Sequence, residues 1–161
     1  MNQEWSLDVL YKGYDDPDFI RDMERLPDKI EEYRKVVASL GAGDEKGQLT
    51  ALLRAEEELD EFIRRLDLFL SLKQSVDSTD EQAADGVSRI MDAMGTVKKD
   101  EAAAKRFVAS LADLPAVIDS DEFLSDYRYR LMQMKEEADH LLTGEAEDVL
   151  ARMDVSARQA W

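Results

Sequence analysis

The sequence predicts an all-α protein, an elongated and mostly antiparallel bundle of about five to six helices. Three observations support this fold class. The 161 residues include only 7 glycines and 3 prolines, which is too few for the many turns of a sheet protein. Apolar residues recur at steps of three and four, the spacing of one helical face. The segment 49–76 contains neither glycine nor proline. A chain of this length is expected to form one domain over residues 1–161.

The segment 49–76 is predicted to be the central helix, around which the other helices pack. Its apolar residues follow one face and its charged residues fill the opposite side. Between Leu66 and Leu72 the apolar residues point in nearly every direction, as in a helix covered on several sides.

The first helix is predicted to begin at Asp16 and Pro17, with the aspartate as N-cap and the proline in the first turn. Residues 1–15 before it carry several aromatic side chains and are expected to lie against the body of the protein. Gly41 is a suitable residue just beyond the C-terminal end of the helix. Pro27 falls inside the helical pattern, so we expect a kink or a break just before it.

A third helix is predicted from about residue 80 to about residue 114, after a glycine-rich connection at 41–47 and the central helix. Thr79 and Gln82 have the spacing of a capping box at its start. Gly86 inside this helix would allow close approach to a neighbouring helix. The charged residues 98–101 mark an alternative position for a break.

The remaining elements are placed by capping residues and turns. Pro115 is predicted to end the third helix, and Asp121 to cap a fourth helix over residues 123–141. A turn at Thr143 and Gly144 would lead to a short fifth helix around Met153 and a further one ending at Trp161.

Charge and composition exclude several classes of function. The chain has 21 basic and 37 acidic residues, a net charge of -16, which argues against nucleic acid and anionic membranes as partners. A solvated surface explains the acidic excess; the alternative is a cationic ligand, or a field that steers one. With no cysteine, disulfides and thiolate zinc sites are excluded. The N-terminus has no signal-peptide pattern and no apolar run approaches about 20 residues, so we expect a cytoplasmic protein.

The sequence offers no complete catalytic or metal-binding motif. Glu137 and His140 form one Glu-x-x-His pair, half of a di-iron pattern, and His140 is the only histidine. His-Glu-x-x-His, a Gly-x-Ser-x-Gly elbow and a phosphate-binding glycine loop are all absent from the sequence. We interpret His140 as a residue near a helix C-terminus, and we predict no catalytic, cofactor-binding or metal-ligating residue in this chain.

Two residue groups leave a second interpretation open. The acidic runs 56–58 and 136–137 are interpreted as solvated, since an acid–base pair needs one carboxylate in an apolar pocket. A set of aromatic and sulfur-containing residues is interpreted as core, with a flexible peptide-binding groove as the alternative. This set comprises Tyr127, Tyr129, Met132, Met134 and Met153.

Three stretches together resemble the N-terminal region of oligoendopeptidase F proteins, which are thimet-oligopeptidase-like zinc metallopeptidases. The first contains Trp5-Ser6-Leu7, Leu10-Tyr11 and Asp16-Pro17-Asp18-Phe19; the second is the central helix with the turn Val76-Asp77-Ser78-Thr79-Asp80. The third runs from Tyr127 through His140-Leu141-Leu142 and Thr143-Gly144-Glu145 to Ala160-Trp161. The resemblance spans nearly the whole chain and keeps the order of the pieces.

The resemblance implies a non-catalytic helical domain that forms one wall of a channel for short peptides. The hydrolase chemistry, the zinc and the His-Glu-x-x-His helix would belong to a catalytic domain of the same polypeptide after residue 161. This chain alone would neither hydrolyse peptides nor hold zinc. The end of the central helix at residues 66–72 would face the interior of the larger enzyme, and its Leu49 end the domain's own core. The alternative is a free-standing acidic helical protein-interaction module without enzymatic activity.

Overall fold

A computed structural model of the chain describes residues 6–138, and these residues form helices and no strand. The all-α prediction is therefore confirmed. No helix of this described part is both long and apolar enough to cross a membrane. In chain order the helices are α1 (Pro17–Ala38), α2 (Glu45–Val76), α3 (Glu81–Gly95), α4 (Lys98–Ser110), α5 (Leu114–Asp119), α6 (Glu122–Asp126) and α7 (Arg128–Ala138).

The first helix begins as predicted but does not break at its internal proline. The Asp16 side chain accepts a hydrogen bond from the backbone N–H of Asp18, and Pro17 is the first helical residue. The helix continues without interruption through Pro27, so of the two expected outcomes, a kink or a break, the break is wrong. The proline ring lies on the exposed side, while Leu26 and Ile30 beside it are each only 3% exposed and hold the helix against the core.

The central helix α2 is longer than predicted at its start and ends where predicted. Asp44 caps it by accepting a hydrogen bond from the backbone N–H of Gly47, so the connection from α1 is shorter than residues 41–47. It packs against α1, α3, α5 and α6. Phe69, near its end, lies 5.2 Å from Phe19 at the start of α1, measured between ring centroids. The two longest helices are therefore antiparallel.

One face of α2 is buried in this domain's own core near both ends of the helix. Leu49 at one end and Leu66, Phe69 and Leu70 near the other have no exposed surface. The expectation for the Leu49 end is thus confirmed. The expectation that residues 66–72 face another domain is wrong for these three side chains, because α1, α3 and the lead segment cover them.

The described lead segment lies against the body of the protein, as predicted. Tyr11 is 2% exposed, and its ring packs edge-on against Phe19 and Phe69, with ring centroids 5.3 Å away in each case. Its hydroxyl donates a hydrogen bond of 2.9 Å to the buried carboxylate of Asp22. Arg65 of α2 stacks over the same ring, 4.5 Å from its centroid. Trp5 lies outside the described residues.

The start of α3 is capped by Asp80 and not by Thr79, which corrects the predicted capping box. The Asp80 carboxylate accepts hydrogen bonds from the backbone N–H of Ala83 at 3.0 Å and from the hydroxyl of Tyr14 at 2.5 Å. Thr79 instead donates from its backbone and side chain to Asp77 in the preceding turn. Asp80 therefore joins the lead segment to the third helix.

The predicted third helix is divided into α3 and α4 at residues 96 and 97, next to the alternative break at residues 98–101. Arg34 of α1 stabilises this interruption. Its guanidinium donates to the carbonyl oxygen of Thr96 at 3.0 Å, to the Thr96 hydroxyl at 2.8 Å and to Asp100 at 3.0 Å. A carbonyl without a helical partner is thereby satisfied.

The segment after α4 contains one helix that the sequence did not predict and one extra break. Pro115 lies in the first turn of the short helix α5, whose start Asp113 caps, and so it does not end the third helix. Asp121 caps α6 as predicted. The predicted fourth helix is interrupted at Tyr127, whose ring packs against Phe123 with centroids 5.1 Å apart. The predictions for residues 139–161, the turn and the last helices, lie outside the described residues.

Replacement of Tyr11 by phenylalanine tests the contact between the lead segment and α1. The variant keeps the ring packing but removes the hydroxyl that donates to the 5%-exposed Asp22. We expect the free energy of unfolding to fall by about 1.5–3 kcal/mol, the usual range for a hydrogen bond to a charged group. Tyr129→Phe is the matched control, since this 81%-exposed side chain should change stability by less than about 0.5 kcal/mol. Equal effects in a chemical denaturation experiment would contradict this account.

Two glycine-to-alanine variants in α3 should have opposite effects on stability. A Cβ at Gly86 would lie 2.8 Å from both terminal methyl groups of Leu70, which is fully buried, so its side chain would have to shift within the packed core. We expect Gly86→Ala to cost about 1–3 kcal/mol through overpacking. A Cβ at Gly95 meets no atom within 4 Å, so Gly95→Ala should stabilise by up to about 1 kcal/mol through helix propensity. Thermal unfolding of the two variants measures the difference.

Candidate functional site: a cleft between α1, α2, α4 and α7

A cleft of about 410 Å³ opens between α1, α2, the α3–α4 junction and α7, and we call it the central cleft. One part of its wall is apolar and is formed by Leu59, Ile63, Met94, Val97 and Met134. The other part is polar and charged and is formed by Tyr33, Glu56, Asp60, Glu101, Lys105, Arg130, Gln133 and Glu137. A cleft of this size with both kinds of wall suits a small organic ligand.

Helical spacing places the lining residues on facing sides of their helices. Glu56 and Asp60 are one turn apart on α2, and Glu101 and Lys105 are one turn apart on α4. On α7 the lining residues begin at Arg130 and continue at steps of three and four. The cleft exists because α7 packs closely on α4, while α2 packs mainly on α1 and α3.

Two ion pairs line the central cleft. Arg130 of α7 reaches Glu56 of α2 with an N–O distance of 2.8 Å. Lys105 of α4 reaches Glu137 of α7 with an N–O distance of 2.6 Å. The first pair spans the gap between α2 and α7, and the second belongs to the contact between α4 and α7.

The two carboxylates of these pairs have pKa values shifted in opposite directions. Desolvation raises the pKa of Glu56, whose side chain is only 15% exposed, and the nearby Arg130 only partly offsets this. The hydrogen bond and positive charge of Lys105 lower the pKa of Glu137, which is 42% exposed. The interpretation of residues 56–58 as a solvated run is therefore wrong for Glu56, which faces the cleft while Glu57 and Glu58 are exposed.

Tyr33 is the most deeply buried polar residue of the cleft wall. Tyr33 is only 3% exposed, and its hydroxyl has no hydrogen-bond partner among residues 6–138. Every fully buried side-chain nitrogen or oxygen in this part of the chain has a hydrogen-bond partner. Since the Tyr33 hydroxyl has none, it is not fully buried and remains accessible from the cleft. Desolvation raises the pKa of Tyr33, and the charges of Glu56 and Glu101 add to the effect, so the phenol stays neutral.

The aromatic and methionine residues behave mainly as core, as the favoured interpretation predicted. Met134 is 6% exposed and Met132 packs partly buried against the core. Tyr127 packs on Phe123 and donates a hydrogen bond from its hydroxyl to Glu57, whereas Tyr129 is exposed. Met153 lies outside the described residues.

Of the Glu-x-x-His pair, only Glu137 lies among the described residues. Glu137 is held by Lys105 and by the side-chain amide of Gln133, and His140 lies outside the described residues. Within residues 6–138 no three histidine, aspartate or glutamate side chains come together in an arrangement that could hold a metal ion.

Sequence reasoning did not identify the central cleft, although part of the signal was present. Opposite charges at helical spacing on the segments around Glu56 and Arg130 were visible in the sequence. The pattern gives the face of each helix but not which faces meet, and α7 could equally have packed on α2. Tyr33 carried no signal that separates it from an ordinary core tyrosine.

The comparisons with known proteins bear on the last third of the chain. A family model described as oligopeptidase F, for the N-terminal domain of that family, matches residues 110–161. The match begins at the last residue of α4, includes α5, α6 and α7, and confirms the resemblance over these residues, which contain its third stretch. No curated protein and no solved structure matches the chain.

Two glutamate-to-glutamine variants test the electrostatics of the cleft. A group whose pKa is higher in the folded than in the unfolded protein contributes to stability below its unfolded pKa. This contribution to stability is lost as pH rises through its folded pKa. A lowered pKa acts in the opposite sense. As pH rises from about 3 to about 7, the stability of Glu56→Gln relative to the wild type should therefore rise, mainly above the ordinary glutamate pKa, and that of Glu137→Gln should fall, mainly below it.

Denaturant unfolding of both variants and the wild type across this pH range measures the effect. Each variant removes one negative charge, so the relief of net charge is common to both and cancels in their difference. Parallel pH profiles for the two variants would contradict the assigned environments of Glu56 and Glu137.

Proposed function

We propose, from the oligopeptidase F match over residues 110–161, that this chain is the non-catalytic N-terminal helical domain of a zinc-dependent oligoendopeptidase. That match is the observation that carries the proposal, and the all-helical fold agrees with it. The partner is the catalytic domain of the same polypeptide, which supplies zinc and hydrolyses oligopeptides in the cytoplasm. Nothing among the described residues favours the free-standing interaction module.

In this proposal the helical domain forms one wall of the substrate channel and restricts entry to short peptides. Support comes from an exposed apolar stripe on α2, which we define as Leu68, Leu72 and Val76. These residues are 44%, 37% and 89% exposed and follow one another at four-residue spacing, so they share one helical face. Exposed apolar surface of this kind suits contact with another protein surface. We infer that the catalytic domain covers the stripe.

The gene downstream of the codon for Trp161 gives the first test. We expect an open reading frame that continues and encodes His-Glu-x-x-His. The complete polypeptide should hydrolyse quenched fluorescent peptides of short length and lose this activity with a zinc chelator. Purified protein of residues 1–161 should show neither hydrolysis nor stoichiometric zinc by elemental analysis. A stop codon directly after Trp161 would refute the proposal.

Variants of the stripe test the position of the catalytic domain. Val76→Lys places a charge on the stripe at the C-terminal end of α2, where a cation is favourable for the helix dipole. Met91→Lys is the matched control, because Met91 is 68% exposed on α3 and lies outside the stripe. In the complete polypeptide we expect Val76→Lys to lower kcat/KM for peptides at least fivefold and Met91→Lys to leave it unchanged. Residues 1–161 alone should unfold at the wild-type temperature in both variants. Equal kcat/KM values would contradict the assignment of the stripe.

A further inference from the structure

We propose that the central cleft binds a small organic cation, a primary ammonium group on an apolar stem, with Tyr33 and the cleft carboxylates as its polar partners. The proposal concerns a site within residues 6–138 and does not depend on the proposed oligoendopeptidase function. Three properties of the cleft support it, namely a phenol hydroxyl without a protein partner among the described residues, an excess of negative charge and an apolar wall.

The hydroxyl of Tyr33 is the strongest indication of a ligand. Tyr33 is 3% exposed and its hydroxyl has no protein partner among the described residues, so only a molecule in the cleft, water or a ligand, can hydrogen-bond to it. The hydroxyl lines the cleft, so a bound molecule can reach it. A neutral phenol oxygen accepts a hydrogen bond, and an ammonium group has three N–H donors to offer.

The charge of the cleft selects a cation over an anion. Four carboxylates and two cationic side chains line it, and both cations are already held by Glu56 and Glu137. Of the other two carboxylates, Asp60 pairs with Arg64 and Glu101 pairs with Lys98 through ion pairs at the exposed surface. Exposed pairs of this type contribute little, so these carboxylates are able to turn towards a cation in the cleft.

The apolar wall selects a cation with a hydrocarbon stem. Met94 and Met134 line the cleft from α3 and α7, and unbranched thioether side chains adapt to ligands of different shape. A fully hydrated inorganic cation would leave this wall uncovered, and a neutral hydrocarbon would leave Tyr33 without a partner. Both a free amine and the amino terminus of a short peptide present the required ammonium group and apolar stem.

Titration of the 161-residue chain with three compounds of similar shape tests the proposal. The compounds are phenethylammonium chloride, neutral 2-phenylethanol and the anion 3-phenylpropionate. We expect saturable binding of phenethylammonium by NMR, with shifts of the Met94 and Met134 methyl resonances, and at least tenfold weaker binding of the alcohol and the anion. No saturable shift, or equal binding of the alcohol, would overturn the proposal.

Two cleft variants and two matched controls locate the site. Tyr33→Phe removes only a hydroxyl that has no partner among residues 6–138, so the variant should fold as the wild type does, and Glu101→Gln removes one negative charge from a half-buried position. Each should raise the Kd for phenethylammonium at least fivefold. Tyr129→Phe and Glu58→Gln change the same groups outside the cleft and should leave the Kd unchanged. An unchanged Kd in Tyr33→Phe with intact circular dichroism would refute the site.

A peptide pair separates the two sources of the ammonium group. Phe-Leu amide with a free amino terminus is compared with its N-acetylated form and with phenethylammonium. Tighter binding of the free peptide than of phenethylammonium identifies peptide amino termini as the source, and weaker binding identifies free amines. Both results support recognition of an ammonium group, whereas equal binding of the acetylated peptide contradicts it. The outcome is independent of whether a catalytic domain follows the chain.

Discussion

Burial of one long face of α2 is the constraint on which the rest of the structure depends. Leu49, Leu52, Leu66, Phe69 and Leu70 on this face have no exposed surface, and each such side chain stabilises the fold by about 1.5–3 kcal/mol. Helices as short as α5 and α6 do not form alone in water. Both pack on α2, and their buried side chains attach them to it. The buried face of α2 therefore holds these two short helices in place.

The central cleft arises where this packing is incomplete. Because α7 packs on α4, the middle of α2 faces α7 across a gap that the Glu56–Arg130 ion pair spans. The same gap gives two glutamates two environments. The walls exclude water from Glu56 and raise its pKa, while Lys105 at the α4–α7 contact lowers the pKa of Glu137. The electrostatic character of the cleft is thus a consequence of which helix α7 packs against.

Rules that use only neighbouring residues in the sequence predicted the helix ends that those residues determine. The start of α1 at Asp16 and Pro17 and the end of α2 at Val76 follow from capping residues and apolar spacing. The interruption between α3 and α4 depends instead on Arg34, which lies 62 residues before Thr96 in the sequence. Similarly, Glu56 cannot be distinguished in the sequence from its neighbours at 57 and 58. Only the position of α7 makes one of the three a cleft residue.

The cleft and the apolar stripe use different faces of the same helix, which separates their proposed roles physically. At about 100° per residue, Leu72 is turned by roughly 120° about the helix axis from Asp60, which lines the cleft. A protein surface that covers Leu72 and Val76 therefore does not need to occlude the cleft, and a ligand beside Tyr33 does not need to touch the stripe. Because α2 is a single continuous helix whose buried face is closely packed, a change in either surface should reach the other only through that core. On either measured quantity, kcat/KM for peptides or the Kd for phenethylammonium, the free-energy effects of Val76→Lys and Tyr33→Phe should accordingly be additive. Residues that lie far apart and share no partners rarely couple.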